Sequence, residues 1–287
     1  MIQTFPNVRF LLVCFASISV ALPVGIISVS KLLLFVCALA VIVCGWMGRG
    51  DIAANLPSLA SFTILMAMAV VAASALWSTG STQEILTAVA KHGKLLTIPI
   101  FLCLARSRRE ASIALALFVG GQAFLLGQVV TASHLADIPV SSGTRVKLWR
   151  GSLQSITENP LHGTGVGSWS QEFNRQQERH EPTTPVKIAG NPHQEFLLWG
   201  VELGISGIAL LCLIILSIYR DSRRFDQQTR RALQSVLMAM TVACLFNSIL
   251  YDAQIGDFFC VALGLLLALG YHAKPAALPF VCAPVRS

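Results

Sequence analysis

The sequence predicts an all-α fold: a polytopic membrane helix bundle of about eight transmembrane helices, with one long external loop containing short helices. Three observations carry this. Of 287 residues, 54% are hydrophobic and only 12% are charged, about half the charge of a soluble domain. The apolar residues fall in runs of the length a helix needs to cross hydrocarbon, about 20 residues. One hydrophilic stretch, 133–194, interrupts those runs and holds most residues suited to chemistry.

The candidate spans are about 10–29, 32–48, 58–77, 85–105, 111–132, 195–219, 232–251 and 257–272. The first run, Phe10 to Val29, is too long for the apolar region of a leader and lacks a clear small-x-small cleavage site. It reads as a first transmembrane helix. Arg49, then Arg106, Arg108 and Arg109, then Arg220, Arg223, Arg224, Arg230 and Arg231 fall on one side of these spans. The opposite short connections carry only Lys31. That asymmetry predicts both termini in the cytoplasm and the long loop outside. The chain thus divides into an N-terminal bundle (1–132, about five spans), the loop (133–194), and a C-terminal bundle with a cytoplasmic tail (195–287, about three spans).

The formal net charge is +7. Its clustering between apolar runs follows the positive-inside pattern, so no nucleic-acid partner is expected. The eight cysteines (Cys14, Cys37, Cys44, Cys103, Cys212, Cys244, Cys260 and Cys282) include no CxxC pair. No thiolate metal site is expected. The loop is itself basic, with Arg145, Lys147, Arg150, Arg175, Arg179 and Lys187. Long loops escape the charge rule, so this excess points to an anionic ligand.

The fourth span carries Lys91 and Lys94 three apart on one helix face, with His92 between them. A lysine at mid-membrane costs about 2.5–3.5 kcal/mol. Either these residues face a wet cavity or a partner, or Lys91 snorkels outward from a helix tilted or broken near Pro99.

In the loop, Thr144 can cap a helix running to about Glu158, with Val146, Trp149, Leu153 and Ile156 as a stripe against the bundle or the membrane surface. Arg145 lies off that stripe. Asn159-Pro160 ends the helix, and Gly163, Gly165 and Gly167 alternate after it. The simpler reading of these glycines is a tight turn requiring positive φ; the other is a row of N–H groups beside a phosphate. Asn191-Pro192-His193 opens the sixth span, with the proline near the first helical position. His193 then sits at a helix N-terminus, whose positive end disfavours imidazolium. It is either an interfacial anchor or a general base. Glu195 and Glu202 share a helix face with Trp199, and Glu202 needs a partner inside the span. Gly200, Gly204 and Gly207 permit close helix approach. Asp252 and Asp257 read as solvated charges at the last outer turn.

Four elements in order then resemble the bacterial O-antigen ligase and O-antigen polymerase family. They are ArgxxxTrp (Arg145, Trp149), AsnProLeuxGlyxGlyxGly (Asn159 to Gly167), ProHisGlnGluPheLeu (Pro192 to Leu197) and GluLeuGlyxxGly (Glu202 to Gly207). The resemblance covers roughly 58–270, with the motifs confined to 143–207. It implies a multi-pass glycosyltransferase of the inner membrane, working at the periplasmic face without metal or other cofactor. The implied donor is an undecaprenyl-pyrophosphate-linked glycan, transferred with inversion, and the implied acceptor is lipid A-core or another glycan. Membrane lipid is the surrounding partner. By motif position Arg145 would engage the pyrophosphate and His193 would act at the acceptor hydroxyl. Lys91, Lys94, Arg150, Gly163, Gly165, Gly167, Glu195 and Glu202 are the further candidate substrate-binding residues. The family has more spans than are counted here and a SerArg pair before the loop, where this chain has Thr131-Ala132-Ser133-His134; Lys91 or Lys94 stands as the substitute. Repeat-unit polymerase and protein oligosaccharyltransferase are alternatives within the family. A small polysaccharide transporter, or a non-catalytic assembly partner, is the alternative of another class.

Overall fold

The computed structural model describes residues 5–47, 58–131, 142–180 and 190–273. Among the described residues every regular element is helical. The backbone runs through α1 (Phe5–Ser19), α2 (Val24–Met47), α3 (Leu59–Ser74), α4 (Thr82–His92), a 3-10 turn (Gly93–Leu96), α5 (Thr97–Leu104) and α6 (Arg108–Thr131). It continues through α7 (Ser142–Glu158), α8 (Trp169–His180), α9 (Glu195–Ser222), α10 (Gln227–Phe246) and α11 (Ala253–Tyr271).

Among the described residues four segments are long and apolar enough to cross a membrane: Gly25–Ile42, Thr82–Leu104, Glu195–Ser222 and Ala253–Tyr271. The apolar helices at Val8–Ser19 and Leu59–Ser74 are shorter. The chain is therefore a membrane protein, all-helical among the described residues.

The break between the first two helices falls at 20–23, not near residue 30 as the hydropathy suggested. Pro23 decides this. Its carbonyl accepts from the N–H groups of Ile26 and Ile27 and opens α2, while its ring and missing N–H stop α1 from continuing. Lys31, expected in a connection, thus lies within α2 and pairs with Asp257 at 2.8 Å. Asp257, expected as a solvated loop charge, is buried there. Asp252 is exposed as expected, and caps α11 by accepting from Gln254 and Ile255.

The fourth apolar run is interrupted by the 3-10 turn rather than bent at Pro99 itself. Pro99 cannot donate to the carbonyl of Leu95, and the preceding turn tightens to accommodate it.

Two ends of the bundle are distinct. At one, Arg9 pairs with Glu110, Arg108 approaches Asp226 at 3.8 Å, Ala60 N–H donates to Asp221 and His272 bonds the Ala105 carbonyl. The arginines of 106–109 and 220–231 therefore share this end; Arg49 lies outside the described residues. Asp226 caps α10 there, and the Thr229 N–H and hydroxyl hold its carboxyl below the usual range. At the opposite end lie the starts of α4, α9 and α11 together with the glycine turn.

One core cluster joins α3, α9, α10 and α11, and a second joins α1, α2, α5 and α6 to the outer side of α11. The loop helices dock on α9. Gly200 leaves room for Ile156, since a Cβ there would sit 2.6 Å from the Ile156 Cδ1. Gly151 does the same for the Phe173 ring. The expected stripe on α7 is only half realised. Trp149 and Ile156 pack against the core, whereas Val146 and Leu153 are exposed. Leu148 and Ser152 take the buried face instead, because Trp169 Nε1 needs an acceptor and Ser152 Oγ supplies it at 2.9 Å. The helix also begins at Ser142, ahead of the expected Thr144 cap.

α9 carries a non-helical break at Gly204, with φ 68° and ψ −156°. Ile205 N–H leaves the helical ladder and donates to Pro160 O at 2.7 Å. A Cβ at Gly204 would sit 2.6 Å from that same carbonyl oxygen. Gly204→Ala should therefore destabilise the protein by more than about 1 kcal/mol. Gly25→Ala, where a Cβ meets nothing within 4 Å, should not lower the melting temperature. Thermal unfolding in detergent checks both, and equal melting of Gly204→Ala and the parent would refute the account of the break.

Candidate functional site

Between α7 and α8 the chain forms a turn with three left-handed glycines, Gly163 (φ 62°), Gly165 (φ 91°) and Gly167 (φ 79°). The turn passes so close to its neighbours that Cβ atoms would not fit. One at Gly165 would lie 2.3 Å from Ser78 Cα, and one at Gly163 would lie 2.5 Å from the backbone of 201–203. Its N–H groups are used within the protein. Thr164 donates to Val201 O, Gly165 to Glu202 O, Val166 to Ser74 Oγ and Gly167 to Glu202 Oε1. This is the tight turn of the simpler sequence reading, and it stitches the loop to α3 and α9.

Glu202 stands behind it, buried in α9. One carboxylate oxygen accepts from Gly167 N–H at 2.9 Å; the other lies 2.8 Å from His92 Nε2. The His92 ring is buried edge-on to Trp199, with centroids 5.1 Å apart. Glu195, also buried, accepts from Trp199 Nε1 at 3.0 Å and from Leu250 N–H at 3.1 Å. Lys94 is 7% exposed; its ammonium donates to the carbonyls of Leu250 and Asp252 and holds the α10–α11 turn. Lys91 is half-buried, with its ammonium 3.8 Å above the centre of the Tyr251 ring.

His193 lies one residue before the α9 cap, since Gln194 is the N-cap and accepts from Leu197 N–H. Pro192 precedes that cap and so is not the first helical residue, as the sequence suggested. Its carbonyl accepts from Trp149 Nε1 at 3.1 Å, which ties α7 to this turn. His193 has a φ of 52°, a conformation uncommon outside glycine and worth inspection at a functional site. Three contacts hold it. His193 N–H donates to Asn191 Oδ1 at 2.8 Å, Gln194 N–H donates to Ser248 Oγ at 3.0 Å, and the ring Nδ1 lies 3.2 Å from Asn247 Oδ1.

Arg145 lies one helical turn before Trp149, on the same side of α7. Its Nε is buried without a hydrogen-bond partner, and no carboxylate pairs with it among the described residues. The other loop arginines divide in two. Arg175 pairs with Glu158 and Glu172, and Arg179 with Glu158. Arg150 is exposed and lines a cleft of about 450 Å³ between α7 and α8 with Lys147, Gln154 and Phe173. Lys187 lies outside the described residues, as do residues 132–134 of the segment where the family has its SerArg pair.

The sequence model described as O-antigen ligase matches residues 14–212. The chain belongs to the O-antigen ligase family. The match covers 199 of 287 residues (212 − 14 + 1) and takes in all four motifs, beginning earlier and ending earlier than the sequence resemblance suggested. No curated protein matches the chain. O-antigen ligase family members are in general enzymes of ligase or polymerase type that act on lipid-linked glycans and acceptors.

In this O-antigen ligase family chain, the motif residues fall into two groups. Trp149 bonds the turn that carries His193, and Arg145 lies one helical turn before Trp149 on α7. The glycines, Glu195, Glu202 and Lys94 form the packed frame behind that turn. Three contributors escaped the sequence reading. His92 stands in the sequence only as the residue between two lysines, and Asn247 and Ser248 carry no signal there, being 54 residues from the groups they bond. Among the described residues no three His, Cys, Asp or Glu side chains converge as a metal site.

Because Glu202 joins α9, α4 and the glycine turn, Glu202→Leu should cost about 3–5 kcal/mol, the range for breaking a buried pair. Glu202→Gln, which keeps an acceptor for Gly167, should cost less. Melting curves in detergent test this. A fully stable Glu202→Leu with only a raised KM would make Glu202 a substrate ligand instead.

Proposed function

We propose that the protein is a membrane glycosyltransferase that moves an undecaprenyl-pyrophosphate-linked O-antigen glycan onto lipid A-core at the periplasmic face of the bacterial inner membrane. One observation carries the reading within the family: the loop spends Arg175 and Arg179 on its own carboxylates, yet among the described residues the Arg145 Nε is left without a partner, one helical turn from the Trp149 that clamps the His193 turn. A buried N–H without an acceptor is costly, and an anionic ligand on this part-exposed arginine removes that cost.

In the proposed step the acceptor hydroxyl attacks the anomeric carbon from the face opposite the leaving group. A carbon–oxygen bond to the acceptor forms as the bond to the pyrophosphate oxygen breaks, which inverts the centre. The hydroxyl proton passes to His193. Undecaprenyl pyrophosphate departs with the bonding pair, and Arg145 holds its charge through charge-assisted bonds worth about 1.5–3 kcal/mol. Lys91, half-exposed near the same turn, adds positive potential. The cleft beside Arg150 accepts sugars remote from the reacting bond. No step requires a metal or other cofactor.

For the membrane, we propose that α1, α2, α3, α4 with α5, α6, α9, α10 and α11 make eight passes. The arginine-rich end is cytoplasmic, both termini are on that side, and α7 and α8 are outside. Glu178 is exposed on α8. A Glu178→Cys variant on a cysteine-free background should react with a membrane-impermeant maleimide in intact spheroplasts. Labelling only after lysis would overturn the orientation and the mechanism with it.

Lysine is a point charge and cannot reproduce the two-point grip of a guanidinium. Arg145→Lys should lose most activity and Arg145→Ala more, with donor binding weakened in both. His193→Ala should slow turnover about 10²–10⁴-fold, the usual contribution of a general base, while donor affinity stays unchanged. Reconstituted protein, donor lipid and lipid A-core provide the assay. Unchanged donor affinity in Arg145→Ala, or a wild-type rate in His193→Ala, would end the corresponding assignment.

A further inference from the structure

The contact between His193 and Asn247 fixes more than the place of the ring. Ser248 N–H donates to Asn247 Oδ1 at 2.9 Å. An amide nitrogen has no lone pair to receive that bond, so the oxygen of the Asn247 amide faces this turn. The same oxygen lies 3.2 Å from His193 Nδ1. A carbonyl oxygen can only accept, so Nδ1 must carry the proton.

We infer that Asn247 is a positioning residue that locks His193 in its Nδ1–H tautomer and leaves Nε2 as the basic nitrogen. The inference rests on the general-base reading of His193 and names the atom that takes the proton. The two ring nitrogens are distinct, and the bond made by one determines what the other can do.

The geometry around the pair supports a lock rather than a chance contact. Asn247 caps the end of α10, with extended backbone and its N–H bonded to Ala243 O. The next residue, Ser248, accepts from Gln194 N–H. Two adjacent residues of the α10–α11 turn therefore hold two adjacent residues of the α9 entry. Trp149 grips Pro192 from the other side.

The charged groups on the surrounding elements are few. Glu195 on α9 has both oxygens engaged by Trp199 and Leu250. The turn carries Asp252, and Lys94 from the 3-10 turn bonds the backbone there. Lys91 on α4 lies over Tyr251, and Arg145 lies on α7. The acceptor at Nδ1 is thus a neutral amide. When the acceptor hydroxyl gives its proton to Nε2, the resulting imidazolium keeps its Nδ1–H bond to Asn247, and no proton moves to the asparagine.

The tautomer can be read without turnover. Full-length protein labelled with [15N]histidine in nanodiscs would be followed by NMR, with the His193 signals identified by their loss in His193→Gln. Neutral His193 should show a protonated Nδ1 and a bare Nε2, and Asn247→Leu should shift the balance toward Nε2–H. A wild-type His193 protonated at Nε2 overturns the inference.

Turnover gives the second readout, with undecaprenyl-pyrophosphate-linked glycan and lipid A-core as substrates. Asn247→Leu should lower kcat about 10–10²-fold, part of the general-base contribution, with KM for both substrates unchanged. Asn247→Asp keeps an acceptor at the same place and should restore rate. A carboxylate beside the ring favours imidazolium, and the base must be neutral, so the acid limb of its pH–rate profile should move to higher pH by about one unit. A purely structural Asn247 would leave that limb in place, which also overturns the inference. Failure of the general-base reading looks different: His193→Ala would then be fully active whatever the NMR shows.

Discussion

Glu202 is the residue on which the rest of the arrangement depends. A carboxylate inside an apolar helix is costly unless every lone pair finds a donor. Here one oxygen takes the Gly167 N–H and the other meets His92, so a single side chain joins α9, α4 and the loop turn. Glu195, two helical turns earlier, joins Trp199 to the α10–α11 turn in the same way. Both acids share a helix face because they are seven apart. They form a buried polar layer within the bundle, behind the glycine turn and the entry to α9.

That layer explains the spacing of the glycines. Gly163, Gly165 and Gly167 alternate because each must bring backbone, not side chain, against α9, against Ser78 and against α4. Gly204 answers from the other side, breaking α9 so that Ile205 can bond the carbonyl of Pro160. A motif that looks like a phosphate cradle is instead a seam, and its N–H groups are taken by protein acceptors. The seam follows the end of α7 and ties it to α3 and α9, and α7 in turn carries Arg145 and the Trp149 that grips the His193 turn.

The electrostatics follow the same division. The loop's positive charge, read along the chain, looks uniform. In the fold, Glu158 and Glu172 neutralise Arg175 and Arg179. Arg145 and Arg150 lie on different faces of α7, Arg145 one helical turn before the Trp149 that bonds the His193 turn and Arg150 at the α7–α8 cleft. In the proposed reaction this separates the charge that meets the leaving group from the charge that meets distant sugars.

The sequence by itself determined the all-helical membrane character, the long loop, the four ordered motifs and the family they belong to. These depend on local quantities: apolar run length, turn residues and the order of a few side chains. It also singled out Arg145 and His193, because few polar residues stand in so apolar a chain. Only the tertiary structure decided which polar residues pack into the buried frame and what they bond there. Nothing local tells that Lys31 meets Asp257 across 226 positions, or that Asn247 meets His193 across 54. The first helix boundary was misjudged because hydropathy runs smoothly through Pro23, where backbone chemistry breaks it. A buried carboxylate and a substrate-binding one look alike along the chain, and only packing, which brings donors from distant segments, distinguishes them.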